Sequence, residues 1–313
     1  MKILVTGANG MIGQAAQQFY ALRPEINVYY TDISPLPGFI EMNVRDYSAC
    51  EILIKSIQPD VIIHLAGFCD LDKCEERDFE REVIATNLFG TDNITCLARK
   101  YNCKLVFISS GGIFAGNKMR KKESGLVDTT GRDIYEHLPY TEYDPPQPIN
   151  IYALSMLMAE QLIQYYLNDY LVIRTSWLFG GGDHDTKFVK RIVDEIRNSK
   201  NANLYVVENQ YGIPTSTSEL IRALDFLVSE NVPGIFNFAC GGSPVSRKSL
   251  ADIIAKSLNI NKNIVGVKAT HFAKQFPAPR PSSEVLENFK LRMRYGYQPK
   301  DWKEELKDYL TTL

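Results

Sequence analysis

The stretch that decides the fold is KILVTGANGMIG, residues 2–13. Its first five residues, KILVT, form a short apolar run rich in β-formers, which predicts a buried strand. Gly7-Ala8-Asn9-Gly10-Met11-Ile12-Gly13 follows, and an amphipathic stretch runs on to about Arg23. The order is therefore strand, glycine-rich turn, helix. In such a turn a side chain at residue 7 obstructs the bend, one at residue 10 holds a pyrophosphate away, and one at residue 13 pushes the helix off the sheet. The amides at the start of the helix then face a diphosphate. Gly7, Asn9, Gly10, Met11, Ile12 and Gly13 are the residues predicted to line it.

A second strand, residues 26–31, ends at Asp32, 19 residues past Gly13. An acidic side chain there accepts hydrogen bonds from an adenosine ribose. It also repels a 2′-phosphate, which favours NAD(H) over NADP(H) as the cofactor. The alternation continues, with strands predicted at 59–66, 104–109 and 170–175 and helices at 78–100 and 149–166. Near-continuous apolar strands separated by helices indicate an α/β fold, a Rossmann-like doubly wound parallel sheet covered on both faces. Ligands of such sheets sit beyond the carboxyl ends of the strands. Those ends are Gly7, Asp32, Ala66-Gly67, Ser109-Ser110 and Thr175-Ser176.

After Thr175 the pattern changes. Helices are predicted at 185–199, at 218–229 with Ser216 or Thr217 as its cap, at 246–258 with Ser246 as its cap, and near 303–310. Residues 234–239 read as a strand returning to the main sheet, and Pro277, Pro279 and Pro281 surround Arg280. The division expected is a dinucleotide-binding domain of residues 1–178 and 209–245. A smaller, discontinuous C-terminal substrate lobe comprises 179–208 and 246–313.

Composition narrows the function. The 313 residues are 45% hydrophobic and 23% charged with a formal charge of −2, so no one-signed field exists to hold nucleic acid. No apolar run reaches membrane-spanning length and no signal peptide is read, so a cytoplasmic protein is expected. The six cysteines form neither a CxxC pair nor a metal-ligand spacing and read as reduced thiols, with no metal site. His64, in a buried strand, reads as a satisfied core histidine, and His137, His184 and His271 show no metal spacing.

Further stretches carry a resemblance: TGANGMIG (6–13), DVIIHLAG (60–67), LDKCEE (71–76), ATN (85–87), ISS (108–110), INIYALSMLMAE (149–160), VIRTSWLFG (172–180), NQYGIPTSTSEL (209–220) and RPSSEVL (280–286). In this order over nearly the whole chain, they resemble the extended short-chain dehydrogenase/reductase superfamily and, within it, are similar to dTDP-4-dehydrorhamnose reductases. The resemblance implies hydride transfer between nicotinamide and the C4 carbonyl of a nucleotide-linked sugar, in dTDP-rhamnose and cell-surface polysaccharide biosynthesis. Tyr152 falls on the proton-donating tyrosine, which also lies against the cofactor, and Ser110 on the residue that holds the carbonyl oxygen. Ala66, Gly67 and Asn87 fall on cofactor-side positions, and Ser110, Trp177 and Arg280 on substrate-side positions, Arg280 for a diphosphate. Asp72-Lys73 matches a segment near the mouth of the site, where an ordinary surface ion pair is an equal reading. Pairing through long helices implies a homodimer.

Three positions depart. Residues 152–156 read YALSM, so the lysine of YxxxK is Met156, and Gly111-Gly112 stand where the resemblance leads one to expect Asp-Tyr. An ammonium about 4 Å from a tyrosine, at an effective dielectric of about 20, favours its phenolate by about 4 kcal/mol, or about 3 pKa units. Without it Tyr152 keeps its proton. Alcohol oxidation then suffers most, while carbonyl reduction, which needs a protonated tyrosine, survives with a weaker acid. The long segment 117–143 carries Lys118, Arg120, Lys121 and Lys122, read as a solvated basic loop rather than a replacement lysine, and Tyr135, Tyr140 and Tyr143, read as base-stacking or half-buried side chains. The alternative to a reductase is a catalytically impaired dinucleotide-binding member with a regulatory or scaffolding role. Epimerases and dehydratases oxidise the sugar first, so Met156 argues against them.

Overall fold

The structure is a computed structural model and describes residues 1–34, 36–121 and 135–313. Seven strands build the main sheet: β1 (Lys2–Thr6), β2 (Asn27–Asp32), β3 (Ile40–Glu41), β4 (Val61–His64), β5 (Lys104–Ser110), β6 (Tyr170–Thr175) and β7 (Gly234–Phe238). Their spatial order is β7-β6-β5-β4-β1-β2-β3. Every neighbouring pair is parallel. The chain runs outward from β1 through β2 to β3, then returns to lay β4 on the other flank of β1, with Ile3 in register with both Val28 and Val61. This reversal opens a crevice between the carboxyl ends of β1 and β4, where such sheets bind ligands.

Alternate side chains of the strands feed two cores. Ile3, Val5, Ile63 and Ile173 pack with α1 (Met11–Tyr20) and with the helix Thr217–Ser229 on one face. Leu4, Ile62, Leu105 and Val172 face α2 (Tyr47–Ile57), α3 (Thr91–Tyr101) and α4 (Ile151–Tyr166) on the other. Both layers are dry: these eight strand residues have no exposed surface.

The single helix expected over 78–100 is not formed. A turn, Glu80–Val83, leads into a π-helical segment, Ile84–Gly90, and only then into α3. Buried polar contacts hold this wide turn: Asn87 points inward to the Phe68 backbone, and Thr91 Oγ1 donates back to the Asn87 carbonyl at 2.7 Å. Such bulges re-aim a side chain at the cost of helical regularity.

Beyond β6, residues Asn203–Val207 pair in parallel with Asn263–Val267, an edge-to-edge match that the sequence reading lacked. The helices α5 (Phe188–Asn198) and α6 (Arg247–Ser257) lie nearby, and their buried residues Val193 and Ile254 join one core with the fully buried Trp302. α5 begins three residues later than expected because Asp185 is spent on the loop before it, accepting from the Lys187 and Gly180 amides. No helix among the described residues is long and apolar enough to cross a membrane.

Candidate active site

The first turn is built as its spacing requires. Gly7 has φ +64°, and a Cβ there would stand 2.6 Å from the Ala66 backbone, so the turn and the loop after β4 touch. A Cβ on Gly13 would stand 2.2 Å from the Ala8 carbonyl oxygen, so the helix is packed against its own turn. At Gly10 the nearest atom, the Gly7 carbonyl oxygen, is 3.4 Å away, and the residue is exposed. No side chain caps α1 and no acidic residue sits in its first turn, so its leading amides and dipole are free to meet an anion. The Asn9 amide is not among them: it donates to Asp32 Oδ2 at 3.0 Å, which fixes the carboxylate at the tip of β2 and leaves Oδ1 for a ligand hydroxyl. These residues fit a dinucleotide, with Met11, Ile12 and Gly13 at the diphosphate and Asp32 at the ribose.

The loop after β4 continues the crevice. Ala66 and Gly67 lie on it half-buried and exposed respectively. Asn87 is 2% exposed and does not point its amide at open space. Its Oδ1 accepts from the Phe68 amide at 2.7 Å, and its Nδ2 donates to the Phe68 carbonyl and to Ser155 Oγ. Ser155 Oγ in turn donates to the Tyr152 carbonyl at 2.7 Å. Asn87 is thus a strut between the cofactor-side loop and the tyrosine-bearing helix. His64 is buried between Thr6 Oγ1 at 2.7 Å and Thr91 Oγ1 at 3.1 Å, and desolvation lowers it to about 4. It is a neutral core histidine.

Tyr152 and Ser110 come together from distant elements. Ser110 ends β5, where its Oγ accepts from the Gly112 amide at 3.0 Å. Tyr152 stands in the first turn of α4, which is fixed by the Asn150 cap on the Ala153 amide and by Glu75 Oε1 accepting from the Ile151 amide, both at 2.7 Å. Ser110 and Cys69 are the polar groups nearest in effect on the Tyr152 hydroxyl, and the Cys69 thiol itself donates to the Gly67 carbonyl at 3.6 Å. Burial raises its pKa well above the ordinary phenol value, the charge interactions of Cys69 and Cys74 add to this, and the Ser110 bond opposes it. No cation is among the groups that act on it most strongly. Met156, one turn further, is 6% exposed and part of the hydrophobic core. Lys118 is bound to Asp144 and the Pro139 carbonyl, and Arg120 to Glu136, so neither replaces the missing lysine. Lys122 lies outside the described residues.

On the other side of Tyr152 the structure corrects one contact and adds a cluster. Asp72 pairs with Arg280, not with Lys73: Arg280 Nη1 and Nη2 reach its two oxygens at 3.0 and 2.6 Å. Burial raises the Asp72 carboxyl, but hydrogen bonds from Arg280 and the Ala278 amide outweigh it and hold it low. Phe276 carries the Arg280 and Arg191 guanidiniums on its ring, at 5.4 and 5.5 Å from its centroid. Arg247 stacks on Trp177 at 4.5 Å, and burial lowers it to about 10, with Glu284 opposing and Arg280 and Arg191 reinforcing. Three arginines therefore feel one another's charge. Only Arg280 was legible in the sequence. Arg191 and Arg247 sit in helices with no motif to mark them. Trp177 is placed among them, but its Nε1 donates to Glu284 Oε2 at 3.0 Å. Tyr140 is buried face to face with Phe114, and Tyr143 lies edge-on to Phe289, so neither is a free platform for a base.

The family model described as the RmlD substrate binding domain matches residues 1–313. The chain is 27% identical to a spore coat polysaccharide biosynthesis protein, SpsK, of Bacillus subtilis, over 99% of this chain and 96% of that one. A crystal structure of a dTDP-4-dehydrorhamnose reductase from Clostridium acetobutylicum superposes with a TM-score of 0.85 at 28% identity, over 99% of both chains. A dTDP-4-dehydrorhamnose reductase from Bacillus anthracis, solved in complex with NADP, superposes with a TM-score of 0.82 at 26% identity, over 99% of this chain and 98% of that one.

Proposed function

We propose, from the premise that the chain belongs to the RmlD substrate-binding-domain family across residues 1–313, that it is a nicotinamide-dependent reductase of a nucleotide-linked 4-keto sugar. The observation that carries this is the Ser110–Tyr152 pair at the carboxyl end of β5, beside the loop that follows the dinucleotide turn. The cofactor, when bound, supplies the hydride. Ser110 and Tyr152 both present hydroxyls to one point, where a carbonyl oxygen is held, and Tyr152 gives that oxygen its proton. The raised Tyr152 pKa keeps the donor protonated at neutral pH. Met156 removes the cation that would draw the proton off, so this site is set for reduction.

Gly7, Gly10, Met11, Ile12, Gly13, Ala66 and Gly67 line the dinucleotide on this reading. Asn9 acts through Asp32, and Asn87 through the Phe68 loop. The free oxygen of Asp32 supports a preference for NADH over NADPH. Arg280, Arg191 and Arg247 fit a diphosphate, whose two charges would relieve their mutual repulsion. The substrate lobe is taken as residues 179–208 and 246–313. We also propose a homodimer through α4 and the π-helical segment Ile84–Gly90 that leads into α3, where exposed Phe89, Met158 and Tyr165 line a groove of about 480 Å³ and Leu154 is exposed on α4. The six free cysteines fit a reducing compartment such as the cytoplasm.

The test is oxidation of NADH or NADPH by purified protein given a dTDP-linked 4-keto-6-deoxy sugar. Turnover is expected, with a loss of about 10²–10⁴-fold in Tyr152→Phe. A second reading, a cofactor-binding member without turnover, rests on Met156. Tight dinucleotide binding with no oxidation across a panel of keto-sugar nucleotides would establish it in place of the first.

A further inference from the structure

Glu284 occupies a position that the reaction outlined above leaves unused. Its backbone is pinned on both sides: the amide donates to the Tyr211 carbonyl at 2.9 Å, and the carbonyl accepts from Ser176 Oγ at 3.0 Å. The side chain turns inward, and its Oε2 accepts from Trp177 Nε1. That indole is itself immobile. Trp177 has φ +51°, the left-handed region that costs a bulky residue energy. Arg247 stacks on the ring, and Gly212 lies so close that a Cβ there would stand 2.3 Å from the ring carbons. Trp177 therefore holds the carboxyl in one place.

The other oxygen, Oε1, accepts no hydrogen bond among the described residues. Arg247, the nearest counter-charge, gives its Nε to Gln210 instead. Oε1 looks toward Gly112: a Cβ on that glycine would stand 3.6 Å from Oε1 and 3.1 Å from Ser110 Oγ. A side chain at residue 112 would fill the gap between the carboxyl and the serine. With hydrogen there, a free acceptor oxygen and the carbonyl-holding serine border the same small space.

We propose that Glu284 is a specificity-determining residue, whose Oε1 accepts a hydrogen bond from a ring hydroxyl next to the reacting carbonyl of the sugar. The inference rests on the keto-sugar reading of the site. A carboxyl beside the serine selects sugars that carry a donor on the neighbouring carbon and fixes which carbon is presented. A sugar lacking that hydroxyl covers the oxygen without pairing it, which is how such sites discriminate.

The experiment titrates dTDP and dTDP-rhamnose calorimetrically into wild type, Glu284→Ala and Glu284→Gln, and follows kcat/KM on the keto substrate. Both variants are expected to weaken dTDP-rhamnose by about 10–100-fold and kcat/KM by a similar factor, with dTDP affinity within about twofold. Gln is expected to fall at the lower end of that range, because its amide oxygen stays on Trp177 and the NH₂ turned toward the sugar leaves the hydroxyl only a neutral donor in place of the carboxylate acceptor. This near-isosteric change also keeps the test valid if the alanine variant is unstable. Equal losses for dTDP and dTDP-rhamnose, or no loss for either, would overturn the inference while leaving the keto-sugar reading standing. Failure of wild type to bind either ligand would overturn both.

Discussion

Restoring a cation at residue 156 measures what its absence does. Tyr152 and Met156 are one turn apart on α4 and share a face, so the ammonium of Met156→Lys can come within about 4–6 Å of the phenol oxygen. At an effective dielectric of about 20 that favours the phenolate by about 3–4 kcal/mol, or about 2–3 pKa units. In the native protein burial and the Cys69 and Cys74 thiols raise the phenol, so the acid form persists as pH rises and is lost only above the ordinary tyrosine range. The wild-type kcat/KM for reduction is therefore expected to stay flat from pH 6 to 9 as far as this group is concerned. In Met156→Lys the acid form is lost as pH rises through the lowered value, so an alkaline fall should enter that window. The pH at which sugar alcohol oxidation, which needs the phenolate, reaches its plateau should fall by the same amount, about 2–3 pH units. The cost is stability, because residue 156 is 6% exposed and the lysine must bury its stem and reach polar space with its head. The assay is the pH profile of NADH oxidation and of the reverse reaction, with thermal unfolding as the control for folding. A wild-type profile that already falls with a midpoint between pH 6 and 8, and does so through Tyr152, would refute the reasoning. So would a lysine variant that leaves both directions unchanged.

Asp32→Ser removes the carboxylate that faces the ribose and should shift the ratio of NADPH to NADH affinity upward by about tenfold or more, read by titrating both cofactors; an unchanged ratio would show that Asp32 does not select. Glu160 is fully buried and accepts three hydrogen bonds from Arg174, so Glu160→Ala strands a buried guanidinium and should cost about 3–5 kcal/mol in denaturant unfolding, most of it recovered when Arg174→Leu is added. Cys69 is an exposed thiol on the loop after β4 that acts electrostatically on Tyr152, so one equivalent of N-ethylmaleimide there should abolish turnover, bound cofactor should slow the reaction, and Cys69→Ser should resist; full activity of the singly labelled protein would refute this placement.

How much of this was legible depended on how local each cause was. β1 and β6 were read to the residue and β5 to within one, because a strand buried on both faces must be apolar throughout and shows it in a few consecutive letters. β3 was not readable: two residues, both exposed, leave no pattern. The wide turn at Ile84–Gly90 was missed because its cause is the Phe68 backbone, 19 residues away from Asn87. The pairing of Asp72 with Arg280 spans 208 positions, and local spacing suggested Lys73 instead. The glycine turn was readable from its own spacing, whereas Tyr152 and Ser110 were picked out by the resemblance, and the structure sets both at the carboxyl end of the sheet. Glu284 was not readable, because nothing distinguishes a buried carboxyl from a surface one until Trp177 and Gly112 are seen beside it.

The departures at 156 and 112 belong to one electrostatic pattern. A lysine at 156 would hold Tyr152 nearer ionisation. Met156 leaves desolvation and the Cys69 and Cys74 thiols, which favour the proton, acting on the phenol against Ser110 alone among the strongest influences. Across the cleft, the missing side chain at Gly112 leaves nothing between Ser110 and the Glu284 carboxyl, and the charge of that carboxyl is offset by Arg247 and Arg280. On the proposed reading, the arginines that would meet a diphosphate, Arg191, Arg247 and Arg280, are not among the groups that act most strongly on Tyr152, so the substrate would be held at its anionic end while the donor keeps its proton. The protonated tyrosine is the form that carbonyl reduction uses at neutral pH, and the phenolate is the form that oxidation uses.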